Sequence, residues 1–182
     1  MNVTEEVVDQ INWHWTSQLR PRFDGLTDDE YFWEPVRDCW SVRPRDTSTA
    51  PLLGGSGEFV IEFAAPPPEP APVTTIAWRL GHIIVGVLGA RIASHFDGPP
   101  VDYMTYDYPG TAADALQRLD VMYEAWRDGV LSKDETALAL PVGPAEGPWA
   151  EKPFLTLALH INRELLHHGA EIALLRDLYA WR

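Results

Sequence analysis

Apolar residues recur every three or four positions in four stretches of the chain, and each such stretch predicts a helix with one buried face. The first runs from Thr4, read as its N-cap, to Phe23, with Val7, Ile11, Trp15 and Leu19 on a stripe spaced by four. Asp24-Gly25 ends it, and a short turn capped by Thr27 follows as far as Trp33. The second begins at Thr74 or Thr75 and reaches His95 or Phe96; it is apolar nearly all round, the mark of a central helix. Gly81, Gly86 and Gly89 weaken its helix propensity and are expected to let a neighbouring helix approach closely. Thr111 caps a third helix to about Leu131, with Ala115, Leu119, Met122 and Trp126 inward, and a fourth runs from about Pro153 to Trp181.

Between the helices the period disappears. Residues 46–72 show no helical pattern, although Glu58 to Phe63 alternates well enough for a short edge strand. The run Pro66 to Pro72 is held extended by its prolines, and Ser132 to Pro153 reads as a connection. The pattern as a whole predicts an all-α fold: one domain over 1–182, a four-helix bundle with long crossover loops. Most of the eight tryptophans are expected in its core.

Composition narrows the chemistry. A formal charge of −13 without any Lys/Arg cluster argues against a nucleic-acid partner. The longest apolar run, Ile83 to Ala90, is far short of the roughly 20 residues of a membrane span, so a cytoplasmic protein is expected. The single cysteine, Cys39, excludes an internal disulfide and limits any metal site to one thiolate. A metal here must draw on His, Glu and Asp.

The fourth helix supplies a candidate. Its inward stripe is Leu157, Ile161, Glu164, His168, Ile172, Leu175, and two polar members interrupt it one turn apart. A carboxylate in that position costs several kcal/mol, on the order of a desolvated ion, unless something pairs with it; a divalent cation would also engage the histidine. An ion pair between Glu164 and His168, or a helix rotated toward water, is the competing explanation. A third ligand must come from elsewhere, and His14, His82, His95, His160 and His167 are the candidates. His82 stands out because it lies midway along the most apolar helix. His160 is an alternative ligand or a supporting donor, while His167 and His14 should point aside.

Three segments together resemble the DinB superfamily: Leu26 to Glu30 with Cys39-Trp40-Ser41-Val42, the helix Thr75 to Ile83, and His160 to Ile172. They fall in that family's order and span nearly the whole chain. The resemblance implies a metal-binding four-helix bundle, commonly with three histidine ligands, and this chain departs from it by carrying Glu164 where the family usually has histidine. That departure is similar to the mycothiol-dependent maleylpyruvate isomerase branch, which implies His82, Glu164 and His168 as the metal ligands.

Two imidazoles and one carboxylate on a divalent ion leave a net charge of about +1, which favours a bound anion. Zinc is the first choice, although nickel, manganese and iron suit the same ligands. A metal lowers the pKa of a thiol from about 8.5, so the expected activity is transfer or addition of a low-molecular-weight thiol, mycothiol or a related one, to a small electrophile. A metal-dependent hydrolase and a metal-binding bundle without catalysis are the alternatives. The expected partners are small molecules, with a homodimer also allowed.

Overall fold

The computed structural model describes residues 2–182. Four long helical rods form where the periodicity places them. In the first, α1 (Val3–His14) continues through a π-helical turn (Trp15–Leu19) and a 3-10 turn (Arg20–Phe23). Asn2, not Thr4, is its cap, accepting hydrogen bonds from the backbone N–H groups of Thr4 and Glu5. Thr4 is thereby released to bury its hydroxyl, which donates to the Lys133 carbonyl at 2.8 Å. A stripe spaced by four drifts about 40° per step around an α-helix. The wider π turn absorbs part of that drift, so Ile11, Trp15, Leu19 and Phe23 all stay buried, joined by Val8 in place of the expected Val7.

The second rod comprises α3 (Ile76–His82), a π-helical segment (Ile83–Gly89) and α4 (Ala90–His95). Taken as one helix, Ile76–His95 is long and apolar enough to cross a membrane, but 67% of its most apolar window is buried within the protein. It is the central rod. After the short α2 (Asp28–Tyr31), capped by Thr27, the remaining rods are α5 (Ala112–Leu131), capped by Thr111, and α7 (Phe154–Ala180), with Pro153 at the cap position. The connection before α7 is not featureless: it holds α6 (Glu135–Ala139) and a 3-10 turn (Pro144–Trp149). Trp126, 1% exposed, stacks on Phe154, meets Phe96 edge-on and donates from Nε1 to Asn162 Oδ1 at 3.1 Å. Trp15 and Trp78 are also buried, and Trp33 and Trp40 pack against the core, whereas Trp13, Trp149 and Trp181 stay exposed.

The fold is not strictly all-α. Strands β1 (Val42–Pro44), β2 (Leu52–Gly54) and β3 (Phe59–Phe63) form an antiparallel sheet in the order β1-β3-β2. The expected edge strand is therefore the central one. Both its faces are covered, so Val60, Ile61 and Glu62 are all buried and the alternation seen in the sequence does not mark an exposed side. Glu62 is tolerated there because its carboxylate accepts from the Ser41 N–H, Arg43 and Ser48.

The sheet clamps the start of the second rod: the Trp78 indole donates to the Glu62 carbonyl at 2.9 Å, and the Thr75 N–H to the Trp40 carbonyl at 2.9 Å. The glycines of this rod do not admit another helix, contrary to expectation. Gly81 faces Ile61 and Tyr108, while Gly86 and Gly89 face Tyr103 and Val101 from the loop that follows α4. That loop is thus seated directly on the helix that carries His82.

Candidate metal centre

α3 and α7 present His82 and His168 to each other, with ring centroids 4.6 Å apart and planes nearly perpendicular. Each ring is held at Nδ1. His82 Nδ1 lies 2.5 Å from the Tyr103 hydroxyl, and His168 Nδ1 lies 2.7 Å from Glu171 Oε2. With those positions engaged, Nε2 of each ring is the nitrogen available to a third group. Trp78 stacks on the His82 ring and Tyr103 lies nearly coplanar with it at the Nδ1 edge, which together fix its plane.

Burial, reinforced by the positive charges of His168 and Arg79, pulls the pKa of His82 down to about 4, with Glu164 and Glu171 opposing. Its imidazole is neutral at pH 7, the state a metal ligand requires. Burial also lifts the Tyr103 phenol to about 12, so it stays protonated. Glu171 is held below the usual carboxylate range: burial opposes this, but the hydrogen bond from His168 and the charge of Arg79 prevail. Arg79 Nε stands 3.1 Å behind it.

Glu164 is half-buried, less enclosed than the stripe suggested, and its Oε2 lies 3.6 Å from His168 Nε2. That is too long for a hydrogen bond. Two atoms each about 2.0 to 2.1 Å from one tetrahedral ion would lie about 3.4 Å apart, so the spacing suits two ligands of one cation. A second group, His167, His168 and Glu171, also has its ligand atoms within 4.8 Å of one another and fits a divalent metal. Its 2.7 Å contact between His168 Nδ1 and Glu171, however, has the length of a charge-assisted hydrogen bond.

The other histidines fall elsewhere. His160 sits beside Glu164, its Nδ1 2.5 Å from Arg163 Nη2 and 3.5 Å from Glu164 Oε1. His167 points aside with its side chain 63% exposed. His95 pairs with Glu146 at 2.9 Å, and His14 is half-buried on α1. A cavity of about 350 Å³ opens next to His82 and Glu164, walled by the second rod, α7 and the Tyr103 loop. Tyr103 and Glu171 carry no periodic signal of their own. Only Glu171, three residues after His168 and so on the same face, was open to discovery by spacing.

A methyl group at Gly86 would overlap the Tyr103 hydroxyl. Gly86→Ala is therefore expected to expel Tyr103 from His82 and weaken metal binding about 10- to 100-fold, the usual cost of losing a group that orients a ligand. Tyr103→Phe should match it in a metal-competition titration. Unchanged affinity in both would remove Tyr103 from the site.

No curated protein and no solved structure matches the chain. The family model of the DinB superfamily matches residues 10–172, which takes in part or all of each rod and includes His82, Tyr103, Glu164, His168 and Glu171. With helical rods that meet at a cluster of His and Glu side chains suited to a divalent metal, the chain belongs to the DinB superfamily, a family of metal-binding helical proteins.

Proposed function

We propose that His82, Glu164 and His168 hold a divalent cation, zinc in the first instance, and that the protein uses it to activate a low-molecular-weight thiol for transfer or addition to a small electrophile. The observation that supports this reading is the matched engagement of both imidazoles at Nδ1, which leaves Nε2 of each ring without a hydrogen bond, together with the 3.6 Å spacing of His168 Nε2 and Glu164 Oε2. Glu171 then serves as the carboxylate that orients His168, with Arg79 behind it, in the way outer carboxylates orient metal-bound histidines.

A cation so held supplies a net charge of about +1 and lowers the pKa of a coordinating thiol. The chain's own residues supply the rest. Tyr103 and Trp78 keep His82 from rotating, and Val85, Val87, Val101 and Ile161 make the cavity wall largely apolar. Among the described residues, no serine, threonine, cysteine or lysine lines that cavity. Cys39 is buried elsewhere, its thiol donating to the Val36 carbonyl and its pKa raised by burial. A nucleophile therefore has to arrive from solution, and the resemblance to the mycothiol-dependent branch suggests mycothiol or a related cytoplasmic thiol. The thiol S–H bond breaks as its sulfur bonds to the electrophilic carbon. In an addition the π bond at that carbon opens and its far atom takes the proton; in a transfer the bond to the leaving group breaks and the departing group takes it.

Elemental analysis of purified protein should find one divalent ion per chain, lost in His82→Ala and kept in His167→Ala. The opposite result would move the centre to His167, His168 and Glu171. Metal-loaded protein is expected to show a spectroscopic response to added thiol. Ester or amide hydrolysis without thiol, and no such response, would establish a hydrolase instead.

A further inference from the structure

His168 and the buried residues of α7 mark its inner side; the opposite side is open to solvent yet largely apolar. Ala170 stands at the middle of that side, exposed, with Leu166 and Leu174 four residues away on either hand. Leu174 is 59% exposed, and Leu166 is half-buried. Arg163 and Asp177 lie seven residues from Ala170, and Leu159 and Trp181 eleven, the last two 53% and 90% exposed. At about 100° per residue, all of these fall within about 40° of one line along the helix. Steps of four, three and four on each side of Ala170 make an eleven-residue period, which keeps a stripe almost straight on an α-helix. The helix carrying it is uninterrupted to Ala180, and Trp181 follows at the cap position.

The order of residue types is the same from either end. Turning the helix end for end about Ala170 sets Leu166 against Leu174, Arg163 against Asp177 and Leu159 against Trp181. Apolar meets apolar, cation meets anion, and the smallest side chain meets itself at the centre, where it lets two helices approach closely. A two-fold interface demands this self-complementarity. The charged members are open to a partner. Arg163 has its side chain 69% exposed, with Nη2 on His160 Nδ1 and, loosely, on Glu164; Nε and Nη1 have no hydrogen bond among the described residues. Asp177 is 60% exposed, its Oδ1 held by Arg22 and its Oδ2 without a hydrogen bond among the described residues. Two copies with a formal charge of −13 each repel, so they can meet only on a face without uncompensated acids. Asp177 is the one acid in the stripe, and the reversed pairing matches it with an arginine.

We propose that α7 pairs with α7 of a second copy of the chain, antiparallel about a two-fold axis at Ala170, so that the protein is a homodimer in solution. The pairing is independent of the metal-centre reading, because Glu164 and His168 lie more than about 100° round the helix from the stripe.

Sedimentation equilibrium of the whole protein is expected to show a dimer at micromolar concentration. Ala170→Glu sets two carboxylates face to face across the axis and should weaken association at least about a hundredfold. Its circular dichroism should match the parent's, since glutamate is a good helix former on an exposed face. Ala170→Arg should behave alike, and mixing the two variants should restore the dimer, a rescue that damage to the fold would not permit. Cross-linking reads the register. Cys39 is buried, so an introduced surface cysteine is the reactive one. With an added oxidant, Ala170→Cys should link to itself, whereas Arg163→Cys should link to Asp177→Cys in a mixture and not to itself. A parent protein that is monomeric up to millimolar concentration would overturn the proposal. So would a dimer undiminished by Ala170→Glu, which would place the contact on another face, or Arg163→Cys that links to itself, which would exclude the antiparallel register.

Discussion

Glu164→Ala is expected to abolish metal retention while the helical content of the protein stays as it is. Loss of a group that merely orients a ligand costs about 10- to 100-fold in affinity, so loss of a ligand should exceed a hundredfold. Folding should be spared because Glu164 makes no close structural contact: Arg163 at 3.4 Å, His160 at 3.5 Å and His168 at 3.6 Å are its charged neighbours, all loose. Even solvent-exposed pairs at closer range contribute only about 0 to 1 kcal/mol, so contacts this long add little. The account in which Glu164 and His168 are only an ion pair requires the reverse outcome, with metal content unaffected and the melting temperature altered. Elemental analysis and circular dichroism on the same sample distinguish the two.

Trp126→Ala should be the most damaging single substitution in the core, lowering stability by about 3 to 5 kcal/mol. The indole is nearly inaccessible, and it joins α5 to α7 through Phe154, to the segment after α4 through Phe96, and to Asn162 by a hydrogen bond. Asn162 in turn donates to the Val7 carbonyl of α1 at 3.4 Å, so truncation also frees a polar group that bridges two rods. Urea unfolding gives the value directly. A loss below about 1 kcal/mol would mean that Phe96 and Phe154 collapse into the space left by the indole.

The rods were legible because each is long enough for its period to repeat, and because Thr27, Thr75 and Thr111 cap as threonine does. Thr4 misled because Asn2, two residues earlier, already caps the helix by accepting from the N–H groups of Thr4 and Glu5. The sheet was hidden for a simple reason: β1 and β2 are three residues each, too short to alternate, and β3 is buried on both faces. At the site, His82, Glu164 and His168 stood out as polar residues in apolar company. Tyr103 did not, because it lies in a loop with no period. Its significance comes from what the chain folds against it.

The π-helical segment Ile83–Gly89 decides which side of the second rod His82 and Arg91 share. At about 100° per residue, the nine steps from His82 to Arg91 would bring them to opposite sides of an α-helix, roughly 180° apart. Closing hydrogen bonds to the fifth residue instead of the fourth slows the rotation to roughly 80° per residue, and seven such steps bring Arg91 round to within about 60° of His82. His82, Gly86, Val87, Ala90 and Arg91 accordingly all line one cavity. The width of a single stretch of helix works here as an angular gear: which side chain beyond it reaches the binding space is set by the backbone winding between His82 and Arg91.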